Sequence, residues 1–188
     1  LRAFYQELQT YRIVSRMPWK IIPFVFGMFV MVEVLNRYGF VTVFATGLNN
    51  AISSVASKYS NTSFVTILTA CFLLSSVSTF ACNIINNQPM TILFTKILLN
   101  PAFTQDPVLQ RASSFSLILG SNLGANVTLI GALAGVMWHQ ILQNNGVDKK
   151  QMSYCKFLKY GLAVTPVTLI FSTLILAVEM YRSPNIVD

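Results

Sequence analysis

"CNIINNQPM", residues 82–90, interrupts an apolar stretch that runs from "FVTILTACFLLSSVSTFA" (64–81) into "TILFTKILL" (91–99). Asn83, Asn86, Asn87, Gln88 and Pro89 stand where hydrocarbon-compatible side chains would be expected. Polar groups are strongly disfavoured away from water unless they are paired. The break is therefore either a surface loop or the lining of a site.

Composition decides which setting applies. Of 188 residues, 54% are hydrophobic and 10% charged, with a mean hydropathy of +0.58; a soluble domain carries about a quarter charged residues. Apolar runs recur at 21–35, 63–82, 115–142 and 157–180, on the scale of the ~18 residues that cross a bilayer core. The sequence reads as an all-α polytopic membrane protein. Long runs without period-2 alternation argue against an outer-membrane barrel. The net charge of +7 would fit nucleic acid, but the basic residues cluster at the ends of apolar segments, as membrane loops do. The expected partner is the lipid bilayer, not nucleic acid. Cys71, Cys82 and Cys155 lack CxxC spacing and form no disulfide framework; Cys71 and Cys82 read as buried free thiols.

Along the chain, a polar segment (1–18) leads to a transmembrane helix at 19–36, bounded by Trp19 and Lys20 and by Asn36, Arg37 and Tyr38. Residues 39–57, with Asn49 and Asn50 at their middle, suit an interfacial helix. The two arms 63–82 and 88–99 flank the opening motif and read together as a re-entrant hairpin (63–99). The segment 100–113 reads as a polar linker with two prolines, 115–142 as a broken transmembrane helix, and 157–180 as a final span. Gly131 and Gly135 give the helix expected at 127–142 a small-xxx-small face for close helix packing.

Charge and length support the hairpin. If 63–99 enters and leaves by one face, Arg2, Arg12, Arg16, Lys20, Lys149, Lys150, Lys156 and Lys159 share the cytoplasmic side. Arg37, Lys58, Lys96, Arg111 and Arg182 then lie opposite. The second arm, at 1.5 Å per residue, is only about 18 Å long, too short to cross.

Two broken motifs carry the chemistry. At the first, Pro89 fits the first turn of a helix, with Asn87 or Gln88 as its cap. That arrangement leaves backbone N–H groups and a partial positive charge at membrane depth, a device of secondary transporters. At the second, "GSNLGANVT" (120–128), Asn126 is expected to cap the following helix. Asn83/Asn87 and Asn122/Asn126 share an N-x-x-x-N spacing. Helix N-termini suit an oxyanion or a polar hydroxylated solute, whereas asparagine carbonyls suit a sodium ion. The alternative is that these amides only satisfy kinked backbone. Glu33 is either a proton relay or a snorkelling helix-end residue. No motif for hydrolysis, phosphate binding or paired-acid catalysis is present, so an enzyme is not expected, nor is any cofactor beyond a bound sodium.

At these motifs the chain resembles the arsenite-efflux and sodium/proton-antiporter branch of the ion transporter superfamily. The resemblance rests on "NNQPM" (86–90), close to that family's NNLPM, and on "GSNLGANVTLIGALAGVMW" (120–138). "PWKIIPFVFGMFVMVEVL" (18–35) and "FLKYGLAVTPVTLIFSTLIL" (157–176) agree with its flanking spans. It covers most of 18–180 but only the C-terminal of two inverted halves, each with a hairpin and a broken helix. Carried over by position, the site comprises Asn86, Asn87 and Pro89 with Asn83 adjacent, and Ser121, Asn122, Gly124, Asn126 and Thr128. Gln88 replaces a leucine and adds a polar group there. The resemblance implies secondary transport of a small anion or metalloid such as arsenite or antimonite, coupled to protons or sodium. Sodium/proton or other anion exchange is the alternative within transport; a transport-inactive structural membrane subunit is the alternative outside it. The missing half implies a fragment or a split transporter, with an N-terminal half on the same or a separate chain as partner. A homodimer or larger complex stays open.

Overall fold

A computed structural model describes Trp19 and residues 21–144 and 153–183. Arg2, Arg12, Arg16, Lys20, Lys149 and Lys150 of the charge count lie outside them. Among the described residues there are seven helices and no strand: α1 (Ile21–Arg37), α2 (Phe40–Tyr59), α3 (Phe64–Ile85), α4 (Asn87–Leu98), α5 (Pro107–Gly124), α6 (Leu133–Asn144) and α7 (Tyr154–Arg182).

Helices α3 and α7 are each long and apolar enough to cross a membrane. With 22 and 29 residues, they measure about 33 and 44 Å. Helix α1 meets α2 at a bend of 70°, and only the pair together has the length and hydropathy of a span. The turn between them needs Gly39, whose φ of 81° suits a residue without Cβ. Helix α2 buries Val41, Ala45, Leu48 and Ile52, and it packs on α3 and α4.

The core is the stack of α3 on α5, with α7 closing over both. Without a hydrophobic drive between helices in lipid, close packing of small residues must hold such a stack. The residues are of that kind: Ala70, Ser75, Ser78, Ala112, Ser113, Ser116 and Gly120 are buried. A Cβ on Gly120 would collide with Ser78 and with the Ser75 carbonyl. Ser75 and Thr173 share a buried hydrogen bond of 3.1 Å between α3 and α7. Outward faces are apolar, including Phe26, Phe29 and Met31 on α1 and Val167, Phe171 and Ile175 on α7. Cys71 and Cys82 are buried and free, whereas Cys155 is exposed.

Helix α4 turns back at Asn86 to pack on α3 and α5. Phe94, Ile97 and Leu98 join Ile67, Cys71 and Leu74 in one apolar cluster. At the hairpin base, Asn61 Nδ2 donates to Asp106 Oδ2 at 3.2 Å and Asn100 Nδ2 to Thr42 Oγ1 at 3.3 Å. Lys96 forms an ion pair with Glu33 of α1, which also lies 3.6 Å from Arg37 Nε.

Two expected boundaries differ. The linker expected at 100–113 is helical from Pro107, because Asp106 caps α5 by accepting from the N–H groups of Val108 and Leu109 at 3.0 and 3.1 Å, with Pro107 in the first turn. Residues 127–132 are irregular, so the helix expected at 127–142 begins at Leu133. Gly131 consequently lies outside any helix. A Cβ there would meet Asn83 Oδ1 and the Ala125 carbonyl, at 2.7 and 2.8 Å, and one at Gly135 the Leu129 carbonyl at 2.6 Å. Gly135 thus fits against the break's own backbone, and Gly131 against both that backbone and the Asn83 side chain of α3.

The Asn61–Asp106 bond joins the loop after α2 to the cap of α5, so Lys58 and Arg111 should face one side of the membrane. Single cysteines at these positions, in a Cys155→Ser background, should react with an impermeant thiol reagent added to the same side of sealed vesicles. Labelling from opposite sides would overturn the hairpin topology.

Candidate functional site

Asn83 occupies the last turn of α3, where it faces the non-helical stretch after α5. Its Nδ2 donates to the carbonyls of Thr79 and Gly124, both at 2.8 Å. Its Oδ1 accepts from Thr128 N at 3.0 Å and from Thr128 Oγ1 at 2.8 Å. An asparagine amide offers two donors and two lone pairs, and all four are used. Asn83 is a clamp between the two breaks, with no free position for an ion. Thr79 Oγ1 adds a bond to the Gly120 carbonyl at 3.3 Å.

The hairpin tip is joined to the same stretch. Asn86 Nδ2 donates to the Ile130 carbonyl at 3.1 Å, and the Asn87 N–H to the Gly131 carbonyl at 3.0 Å. Asn86 has φ 72° and ψ 152°, a region left essentially to glycine; such a residue persists only where its surroundings fix it. Here its side chain is held at both ends, Oδ1 accepting from Gln88 N at 3.4 Å.

Asn86, rather than Asn87 or Gln88, is therefore the cap of α4. Pro89 falls in the first turn, as its lack of an N–H favours. This cap has a chemical consequence. The Asn87 N–H is taken by Gly131, the Gln88 N–H by Asn86, and Pro89 has none. The helix N-terminus expected to offer open N–H groups to an oxyanion is closed.

The second expected N-terminus, after Asn126, does not form. Asn126 lies in a turn, and its Nδ2 donates back to the carbonyls of Asn122 and Leu123 at 3.0 and 3.4 Å. Asn122 does the same to Ile118 at 2.8 Å. Both residues are exposed. Asn126 thus spends both amide donors and Asn122 one of its two, and their carbonyl oxygens remain as acceptors on the outer face. Ser121 is buried and donates to Ile118 O at 3.0 Å. Behind the break, Gly161 of α7 lies so close that a Cβ would strike the Asn126 and Val127 carbonyls; Trp138 of α6 and Phe157 of α7 meet with centroids 6.4 Å apart.

The expected site residues thus divide. Asn83, Asn86, Gly124 and Thr128 join the breaks, and Ser121 is buried beside them. Asn87, Gln88, Asn122 and Asn126 keep polar groups on accessible surface, half-buried for Asn87 and exposed for the others. Glu33 is not in this group; it pairs with Lys96 at the hairpin's base. Thr79, Gly131 and Gly161 belong to the site's frame but carry no sequence signal beyond small size.

The sequence that builds this arrangement is similar to known proteins. The chain matches the family model described as arsenical pump membrane protein over residues 5–181. It belongs to that family. The arsenical pump membrane protein of Yersinia enterocolitica is 24% identical over 173 residues, 92% of this chain and 37% of that protein. The putative arsenical pump membrane protein of Bacillus subtilis is 25% identical over 175 residues, 91% and 35% respectively. The P protein of Mus musculus is 28% identical over 155 residues, 81% and 17%. The chain therefore spans little more than a third of the length of these arsenical pump relatives. No solved structure matches it. Like the family, it is an integral multi-pass membrane protein.

Asn83→Ala would strand Thr128 and the Gly124 carbonyl, so it should destabilise the fold by about 2–4 kcal/mol at ~1–3 per buried group left unpaired. Gln88→Ala, at an exposed position one turn further on, should stay within about 0.5 kcal/mol. Unfolding in detergent micelles measures both; equal effects would remove Asn83 from its role as clamp.

Proposed function

We propose that this chain forms one half of a secondary transporter that moves a small hydroxylated metalloid of the arsenite or antimonite kind, coupled to protons or sodium. Membership of the arsenical pump family supports the transport class. The observation that supports the substrate class is the exposed amide pair: Asn126 commits both donors of its amide to backbone carbonyls and Asn122 one of its two, so a solute meets more acceptor than donor positions there. Such a face favours a neutral solute bearing O–H donors. With the α4 N-terminus closed by Gly131 and Asn86, a bare oxyanion finds no N–H cradle, and this disfavours the small-anion reading.

The same oxygens suit a sodium ion, a hard cation that takes oxygen ligands, and this favours sodium as the coupling ion. Glu33 is the proton-relay alternative, acting at the hairpin base through its pairing with Lys96. Exposed amides at membrane depth need cover from protein or a watery cavity. An inverted N-terminal half, on the same polypeptide or a partner chain, would supply it. The role is that of a carrier, not an enzyme.

The test is arsenite transport by the intact transporter in proteoliposomes. Asn87→Ala and Asn126→Ala should each weaken arsenite or sodium binding by about 1–3 kcal/mol, the effect of leaving partners unpaired. Binding that survives both substitutions would sink the site. Glu33→Gln should abolish proton-coupled exchange with expression intact if Glu33 relays protons; an unchanged pH dependence together with a retained sodium requirement assigns coupling to sodium.

A further inference from the structure

We propose that α1 is an arm hinged at Gly39 and latched to the re-entrant hairpin by Glu33 and Lys96, and that its release is a step of the transport cycle. This deepens the function proposed above and rests on it.

The helices on either side of the 70° bend are held very differently. Helix α2 buries Val41, Ala45, Leu48 and Ile52 and packs on α3 and α4. Helix α1 packs on α2 and α4, yet Val32 is its one buried side chain among the described residues. Phe26, Phe29 and Met31 are exposed, and lipid serves them equally well wherever the helix lies. An element with so few buried contacts belongs to the low-stability end of a structure.

The bend supplies the pivot. The Gly39 N–H donates to the Asn36 carbonyl at 3.1 Å, and its own carbonyl accepts from Val43 N of α2 at 3.1 Å. Gly39 thus ends one helix and opens the next, with φ at 81°. A Cβ built there would meet nothing within 4 Å. Neither a side chain nor a neighbour obstructs rotation at this residue. Hinges are a few element-terminal positions that absorb such changes in φ and ψ.

The latch is the ion pair between Lys96, in the last turn of α4, and Glu33 of α1. Its side chains are 36% and 46% exposed. Pairs of that exposure are weak, as a contact remade in every cycle has to be. Opening the pair strands neither charge. Arg37, one turn beyond Glu33, lies 3.6 Å from its carboxylate and keeps it paired within α1. Lys96 stays beside the C-terminal carbonyls of α4, which favour a cation. Docked and released arms therefore differ by one exchangeable contact and the packing of Val32, a difference small enough for both to be populated. Release frees α4 from α1, and α4 is the helix that begins at Asn87.

The experiment uses the full-length transporter in proteoliposomes, free of other reactive cysteines, with spin labels at Phe26→Cys on α1 and Phe171→Cys on α7. Their distance distribution, read by pulsed electron resonance, reports the arm without reference to any solute. Labels at Phe80→Cys on α3 and Phe171→Cys should keep one distance throughout, which shows the body of the fold intact. Lys96→Met should raise the ratio of released to docked arm about fivefold, equivalent to ~1 kcal/mol for an exposed pair. Reversing the pair, with Glu33→Lys and Lys96→Glu together, should lower the ratio again. A ratio that Lys96→Met leaves unmoved overturns the latch, and so does a reversed pair whose arm stays released. Arsenite should shift the ratio when Glu33 and Lys96 are both present. An unshifted ratio, in a protein that does transport arsenite, removes the arm from the cycle. If the protein moves no arsenite, the proposed substrate fails, and the Lys96→Met comparison still decides the latch.

Discussion

A peptide group inside hydrocarbon must find its hydrogen-bond partner within the protein, because no water is there to replace it. Two interruptions in one small bundle would leave many such groups exposed, and the structure resolves them against each other. The break after α5 supplies the carbonyls of Gly124, Ile130 and Gly131; the end of α3 and the start of α4 supply the donors that meet them. Thr128 N–H and hydroxyl return the exchange by donating to Asn83. Neither break is self-sufficient, so hairpin and broken helix are one unit. The close packing of α3 on α5, with glycine at 120 and 124 beneath Ser78 and Thr79, is what brings them within reach.

That mutual pairing also fixes the surface left over. Both amide donors of Asn83 and of Asn126 are consumed inside the joint or on the neighbouring backbone. A helix N-terminus in a transporter is ordinarily an anion site, but here Gly131 O and Asn86 Oδ1 fill the positions an anion would take.

Much of this was legible in the sequence. Apolar runs marked the membrane segments, and amide-rich breaks at 83–91 and 120–128 marked where helices stop; the family's motifs coincide with them. Pro89 announced a first turn correctly. What escaped was decided by contacts between segments distant in sequence. Asn87 and Gln88 looked like caps, yet the bond from Asn86 to Ile130, 44 residues away, helps hold the unusual backbone that makes Asn86 the cap. Asn126 resembled a cap by composition, but Asn83 holds Thr128 out of helical geometry and delays α6 to Leu133. The error at 107–113 was different: Asp106-Pro107 is a local start signal, masked by the polar residues Gln110, Arg111 and Ser113 that follow.

The distribution of bond strengths then orders where the structure gives way. Opening the Asn83 joint would strand several peptide and hydroxyl groups at once in a medium that offers no substitutes, each at about 1–3 kcal/mol. From behind, Gly161 lets α7 seat directly on the Asn126 and Val127 carbonyls, so the break is held from that side as well. The attachments of α1 and α2 to the hairpin base are of another kind. Glu33–Lys96 and Asn100–Thr42 lie at accessible ends, where water can take over either partner and salt screens the charges. These base contacts are therefore the first to give way, while hairpin and broken helix hold together as one unit.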